Sequence, residues 1–132
     1  MSGRKLPDYK SKQKILYIDN TEPETLVNYG DLFLAEGKVS DALEFYKKAN
    51  YYDGLEKIKA IALETADVML YAQAMKALNK EPSALEWEQI GEKAIALKKY
   101  FFAKHALEKA GKPHQFPFLK QTTEAGNSVK ND

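Results

Sequence analysis

Cysteine is absent from the 132 residues, which removes disulfides and thiolate metal sites from consideration. No apolar stretch approaches the roughly 20 residues of a membrane span. The basic segment from Met1 to Lys14 lacks the apolar run and small-residue cleavage site of a secretion signal. Neither sign of charge dominates, since 20 Lys and Arg against 19 Asp and Glu leave a net +1. That is far from the basic excess that phosphate-backbone binding usually needs, so nucleic acid is an unlikely partner. Histidines number two, His105 and His114, with neither in a metal-binding spacing and no third ligand placed to join them. A glycine-rich phosphate loop, a nucleophile elbow and a distinctive carboxylate pair are all missing. These absences predict a cytoplasmic protein that is not an enzyme and uses no cofactor or metal.

What is present is a pattern that occurs twice. Leu26, Tyr29, Gly30, Phe33, Gly37, Val39, Ala42, Tyr46 and Ala49 are followed by Trp87, Ile90, Gly91, Ala94, Lys98, Tyr100, Ala103, Leu107 and Ala110. Each residue precedes its counterpart by 61 positions (87 − 26, 91 − 30, 103 − 42, 110 − 49). A repeated pair of helices explains this economically, because two unrelated amphipathic helices rarely stay in step for so long. With 44% hydrophobic residues the chain can bury a core, yet its length suits one domain of ordinary size.

Local signals divide that domain into three helical hairpins. Thr21 and Glu24 have the spacing of a capping box and Pro23 suits a first helical turn. Apolar spacing then continues to Gly37, where a left-handed residue ends a helix, and a second helix follows from about Val39 to Asn50. Leu55, Ile58, Ile61 and Ala62 begin a middle pair that continues through Val68, Tyr71, Met75 and Leu78. Asn79 to Pro82 breaks the pattern, and Ser83 with Glu86 repeats the capping-box spacing. Helices from about Ala84 to Leu97 and Tyr100 to Ala110 complete the third pair, closed by Gly111 and Pro113. Residues 1–20 read as a basic arm or strap, with Ile15 to Ile18 either a short helix or an extended segment. Residues 112–132 read as a partly disordered tail whose Phe116, Phe118 and Leu119 are placed to fold back on the last helix.

The first copy, from Leu26 through Tyr29-Gly30, Phe33, Gly37, Val39, Ala42, Tyr46 and Ala49, resembles a tetratricopeptide repeat. The second is similar, with Ala94 for the aromatic and Lys98 for the turn glycine, which predicts a less tight turn. The middle pair has Lys59 for the glycine and Tyr71 for the small alanine, so its helices should cross further apart. The resemblance covers about residues 22–111 and implies an all-α fold: an α-solenoid of three antiparallel hairpins with flexible N- and C-terminal segments. A plain bundle is the alternative. In such a solenoid the first helix of each hairpin lines a concave groove. Glu24, Val27, Asp31 and Leu34, then Glu56 and Leu63, then Glu88, Glu92 and Ile95 fall there, making it acidic with apolar spots. Lys47, Lys48, Lys76, Lys104 and Lys109 fall on the second helices. The implied function is a protein-interaction module, an adaptor or scaffold for a basic or amphipathic protein segment. The lysine, arginine and asparagine clamp with which some relatives grip terminal carboxylates is missing, since its positions hold Val27, Asp31, Glu88 and Glu92. Two other functions remain open. One is electrostatic attachment through Arg4, Lys5, Lys10, Lys12 and Lys14, and the other is homo-oligomerisation through the solenoid ends.

Overall fold

Asp8 ends an extended segment and its carboxylate accepts the Ser11 amide at 2.8 Å, capping the first helix of the protein. Those hydrogen bonds hold the Asp8 carboxyl below its ordinary pKa. In the computed structural model, residues 6–112 are described, and they form seven helices and no strand. α1 runs Tyr9–Tyr17, α2 Pro23–Ala35, α3 Val39–Lys48, α4 Tyr52–Thr65, α5 Val68–Ala77, α6 Ala84–Ala96 and α7 Tyr100–Lys109. Contacts divide the chain into two compact units, Met1–Ile58 and Lys59–Asp132, with the division falling inside α4. The aromatic and leucine cluster expected at Phe116, Phe118 and Leu119, and the stop at Pro113, lie outside the described residues.

In the first unit α2 and α3 pack as a hairpin through the connection 36–38. Gly37 adopts φ 78°, so its amide reaches the Leu34 carbonyl and the Lys38 amide the Phe33 carbonyl, closing the end of α2. Leu26, Phe33, Ala42, Phe45 and Tyr46 are buried, with the Phe33 and Phe45 rings stacked at 5.3 Å between centroids. Tyr46 has no exposed surface. A β-carbon on Gly30 would lie 2.6 Å from its ring, and one on Gly54 would lie 2.6 Å from the same ring. The aromatic is therefore seated between two glycines, and the helices can approach only because those side chains are missing.

In the second unit α6 and α7 form the corresponding hairpin. All four boundaries are displaced by the offset of the sequence repeat (84 − 23, 96 − 35, 100 − 39 and 109 − 48 each give 61). Gly91 faces Leu107 where Gly30 faces Tyr46. Lys98 holds the place of Gly37 with φ 63°, and its turn makes the same two bonds, Lys98 to Ile95 and Lys99 to Ala94. The looser turn expected from a lysine does not form. The chain keeps the glycine geometry and bears the left-handed backbone strain instead. α5 packs on α7, as α1 packs on α3 in the first unit. The middle turn follows the same pattern, with Ala66 at φ 53° and the Asp67 amide bonded to the Ala62 carbonyl at 2.9 Å.

The two expected capping boxes end differently. Ser83 and Glu86 form one in full, with bonds of 3.1 Å and 2.8 Å. At the start of α2 the cap position is Glu22, without a side-chain bond, and the box at Thr21 is absent. The Thr21 hydroxyl donates instead to the Ile15 carbonyl at 3.2 Å, tying the end of α1 to the start of α2. Pro23 has no N–H to satisfy in that first turn, which lowers the need for a cap.

Candidate protein-interaction site

α2 buries Leu26, Gly30 and Phe33 and carries Glu24, Val27, Asp31 and Leu34 beside that face. Glu24 and Asp31 are exposed, while Val27 and Leu34 are half-buried. These four recur at three- and four-residue intervals and form one stripe along α2. α6 repeats the arrangement in the second unit, burying Trp87, Ile90, Gly91 and Ala94 and turning out Leu85, Glu88, Glu92 and Ile95. Leu85 and Glu92 are exposed, Glu88 and Ile95 half-buried. Of the two candidates on α4, Glu56 is half-buried and Leu63 exposed. The expected site residues thus lie together on α2 and, separately, on α6, each set within its own unit. Lys47, Lys48, Lys76, Lys104 and Lys109 are exposed on α3, α5 and α7.

Two of the acidic residues have local duties. The buried Tyr46 hydroxyl donates to the Asp31 carboxylate at 2.6 Å, a short charge-assisted bond across the α2–α3 crossing. Burial first, then Asp31, pushes the Tyr46 hydroxyl well above the usual phenol range, so it stays protonated. At the equivalent place in the second unit Leu107 offers no hydroxyl to Glu92. Glu88 instead pairs with Lys112 at 3.2 Å. Glu24 and Glu92 are therefore the more available carboxylates of the two stripes.

The basic N-terminal segment is also partly committed. Lys12 is 9% exposed, and its ammonium donates to Asp41 at 2.6 Å and Glu44 at 2.9 Å on α3. Burial works to lower its pKa, but the two carboxylates outweigh this and the net shift is upward, so Lys12 stays charged. With Leu16 1% exposed one turn on, Lys12 anchors α1 as a helical strap on α3. Of the five cations considered for electrostatic attachment, Lys12 is thus withdrawn by its own chain, while Lys10 and Lys14 are exposed and Arg4 and Lys5 lie outside the described residues.

Trp87 packs edge-on against Tyr71 at 5.7 Å and against His105 at 6.4 Å, so His105 belongs to the packing of α6 on α7. Burial raises the Tyr71 hydroxyl above its ordinary pKa, with Glu86 adding to it. His114 lies outside the described residues. Among the described residues no three histidine, aspartate or glutamate side chains gather as metal ligands would. No described helix is long and apolar enough to cross a membrane.

Sequence reasoning passed over one surface. At the start of α7, Lys99, Tyr100, Phe101 and Phe102 line a shallow cavity of about 290 Å³, and Phe101 is 75% exposed. The signal was available: the first copy has Ser40 and Asp41 where the second has Phe101 and Phe102. Comparison with protein families, with curated proteins and with solved structures finds no match for the chain.

Proposed function

We propose that the chain is a non-catalytic protein-interaction module built from tetratricopeptide-like helical hairpins. In this reading it is an adaptor in which the outer stripe of a hairpin takes a basic or amphipathic partner segment. The observation that carries the reading is the recurrence of one stripe on α2 and α6. Asp31 and Glu92 occupy its centre, Glu92 exposed and Asp31 exposed but bonded to Tyr46, with the half-buried Leu34 and Ile95 one turn on. Exposed carboxylates beside half-buried aliphatic groups suit a helix or strand that brings cations to steer the encounter and apolar side chains to hold it.

The test is kinetic. Immobilised full-length chain is offered amphipathic peptides of lysine and leucine, with polyglutamate peptides as controls. Glu24→Lys together with Glu92→Lys should slow association and flatten its salt dependence, because surface charge acts mainly on encounter. Leu34→Ala and Ile95→Ala should instead speed dissociation. If all four substitutions leave both rates unchanged while Lys47→Glu or Lys104→Glu alters them, the partner face is on α3 and α7 and the reading fails.

A further inference from the structure

The α2–α3 and α6–α7 turns share one backbone geometry, so each serves as a control for the other. At the α2–α3 turn the exposed positions include Glu36, Gly37 and Ser40. Their counterparts, 61 residues on, are Leu97, Lys98 and Phe101. Leu97 is 46% and Phe101 75% exposed, so a glutamate and a serine have become large apolar groups facing water. The fold does not require this, because the first copy builds the same turn with polar residues. At the same corner Lys98 replaces glycine although its φ of 63° disfavours any residue with a β-carbon. Asn50, Ala66 and Asn79 end their helices in the same left-handed conformation, so the exposed apolar groups, and not the strain, set this corner apart.

We propose that the α6–α7 corner is a second docking surface, which takes an acidic protein segment carrying a leucine or aromatic anchor. The cavity lined by Lys99, Tyr100, Phe101 and Phe102 receives the anchor. Leu97 adds exposed apolar surface at the same corner, and the exposed Lys98, with Lys104 shared with Glu108 at 4.0 Å, meets the anchor's flanking carboxylates. Lys99 has a structural duty, since its ammonium donates to the Thr65 carbonyl at 2.5 Å and fixes the turn. The chemistry is opposite in sign to that of the α2 and α6 stripes, and the assignment stands independently of them. A concave floor favours a side chain over a lipid surface. The few cations at this corner also fall short of the polybasic clusters, about four to eight residues, that hold proteins on anionic membranes.

The test uses full-length protein and an array of fluorescent peptides rich in glutamate and aspartate, each with one or two leucine or phenylalanine anchors. Matched arrays lack the anchors or carry lysine for the acids. Wild type should retain the anchored acidic peptides, more weakly as salt rises from about 0.05 M to about 0.5 M. Phe101→Ser, which installs the residue of the first copy, should weaken binding about tenfold or more with unchanged far-UV circular dichroism. Lys98→Gly should weaken binding and its salt dependence while the protein becomes harder to unfold. Several results overturn the proposal: no preference for the anchored acidic peptides, or equal binding by the Phe101→Ser variant. So does sedimentation with anionic phosphatidylserine vesicles in place of peptide binding. A dimer that Phe101→Ser dissolves, with no peptide retained, assigns the surface to a second copy of the chain instead.

Discussion

The Tyr46 hydroxyl donates to the Asp31 carboxylate across 2.6 Å while the Tyr46 ring lies wholly buried. One end of the side chain is fixed by charge and the other by packing. The same aspartate also stands in the middle of the outer stripe of α2, so one carboxylate joins the core of the hairpin to its surface.

Removing that hydroxyl should therefore weaken the hairpin and change how it responds to alkali. Tyr46→Phe is expected to cost about 1 kcal/mol in urea titration, less than is usual for a bond to a charged group because exposed Asp31 regains water. The folded-state pKa of Tyr46 is raised, so its contribution is complete below the unfolded value of about 10 and is lost as pH rises through the folded one. The variant should lose less stability than wild type above about pH 10, with Tyr71 supplying part of the dependence that remains. Parallel stability curves for the two proteins would disprove the coupling.

The two interhelical glycines should respond differently to one added methyl group. At Gly30 the new carbon meets the Tyr46 ring at 2.6 Å, and Gly54 blocks that ring from behind. At Gly91 it meets the Leu107 side chain at 3.0 Å and the Ala106 β-carbon at 3.3 Å, a milder clash than the one with the ring. Gly30→Ala is expected to cost about 1–3 kcal/mol from overpacking. Gly91→Ala should cost less, since relief of the helical glycine penalty, about 1 kcal/mol, offsets more of the milder crowding. Equal losses in thermal unfolding would contradict the seating of Tyr46.

Lys98→Gly should stabilise the second unit by roughly 0.5–1 kcal/mol, because glycine accepts a φ of 63° without a β-carbon penalty. Gly37→Ala should destabilise the first unit by a similar amount. Chemical denaturation of both variants checks the pair, and opposite signs are the required result.

Lys12→Met should release α1 and leave the hairpin behind it intact. The lost bonds go to Asp41 and Glu44, whose side chains are 33% and 40% exposed, so the expected cost is about 1–2 kcal/mol. Hydrogen exchange should quicken at the amides of residues 12–17 and stay unchanged at 42–48. Simultaneous loss of protection in both segments would show that α1 is part of the hairpin's own cooperative unit.

The hairpins were legible because their signals are local. Gly37, Ser83, Gly30 and Ala42 each act within a turn or across one crossing, and the 61-residue offset carried their meaning from one copy to the next. What escaped notice was set by residues far apart in sequence. Lys12 reads as a tail cation until it meets Asp41 and Glu44, 29 and 32 residues away. Asp31 reads as a surface acid until Tyr46 arrives 15 residues later. Thr21 had two possible roles, accepting from the Glu24 amide in a capping box or donating to a carbonyl, and it donates to Ile15 at the end of α1. The corner at Phe101 was legible and overlooked: aromatic residues at helical spacing look like core, and only the polar residues of the first copy mark them as outward.

Tyr46 is closed on one side by Gly30, which precedes it, and on the other by Gly54, which follows it. A chain made from its N-terminus has the α2–α3 pair in hand well before the second wall exists. During synthesis the largest buried ring of this unit keeps one face uncovered until α4 has left the ribosome. A fragment ending at Asn50 would reproduce that unfinished state permanently, so the smallest self-sufficient piece of the first unit has its limit beyond Gly54 rather than at the end of α3.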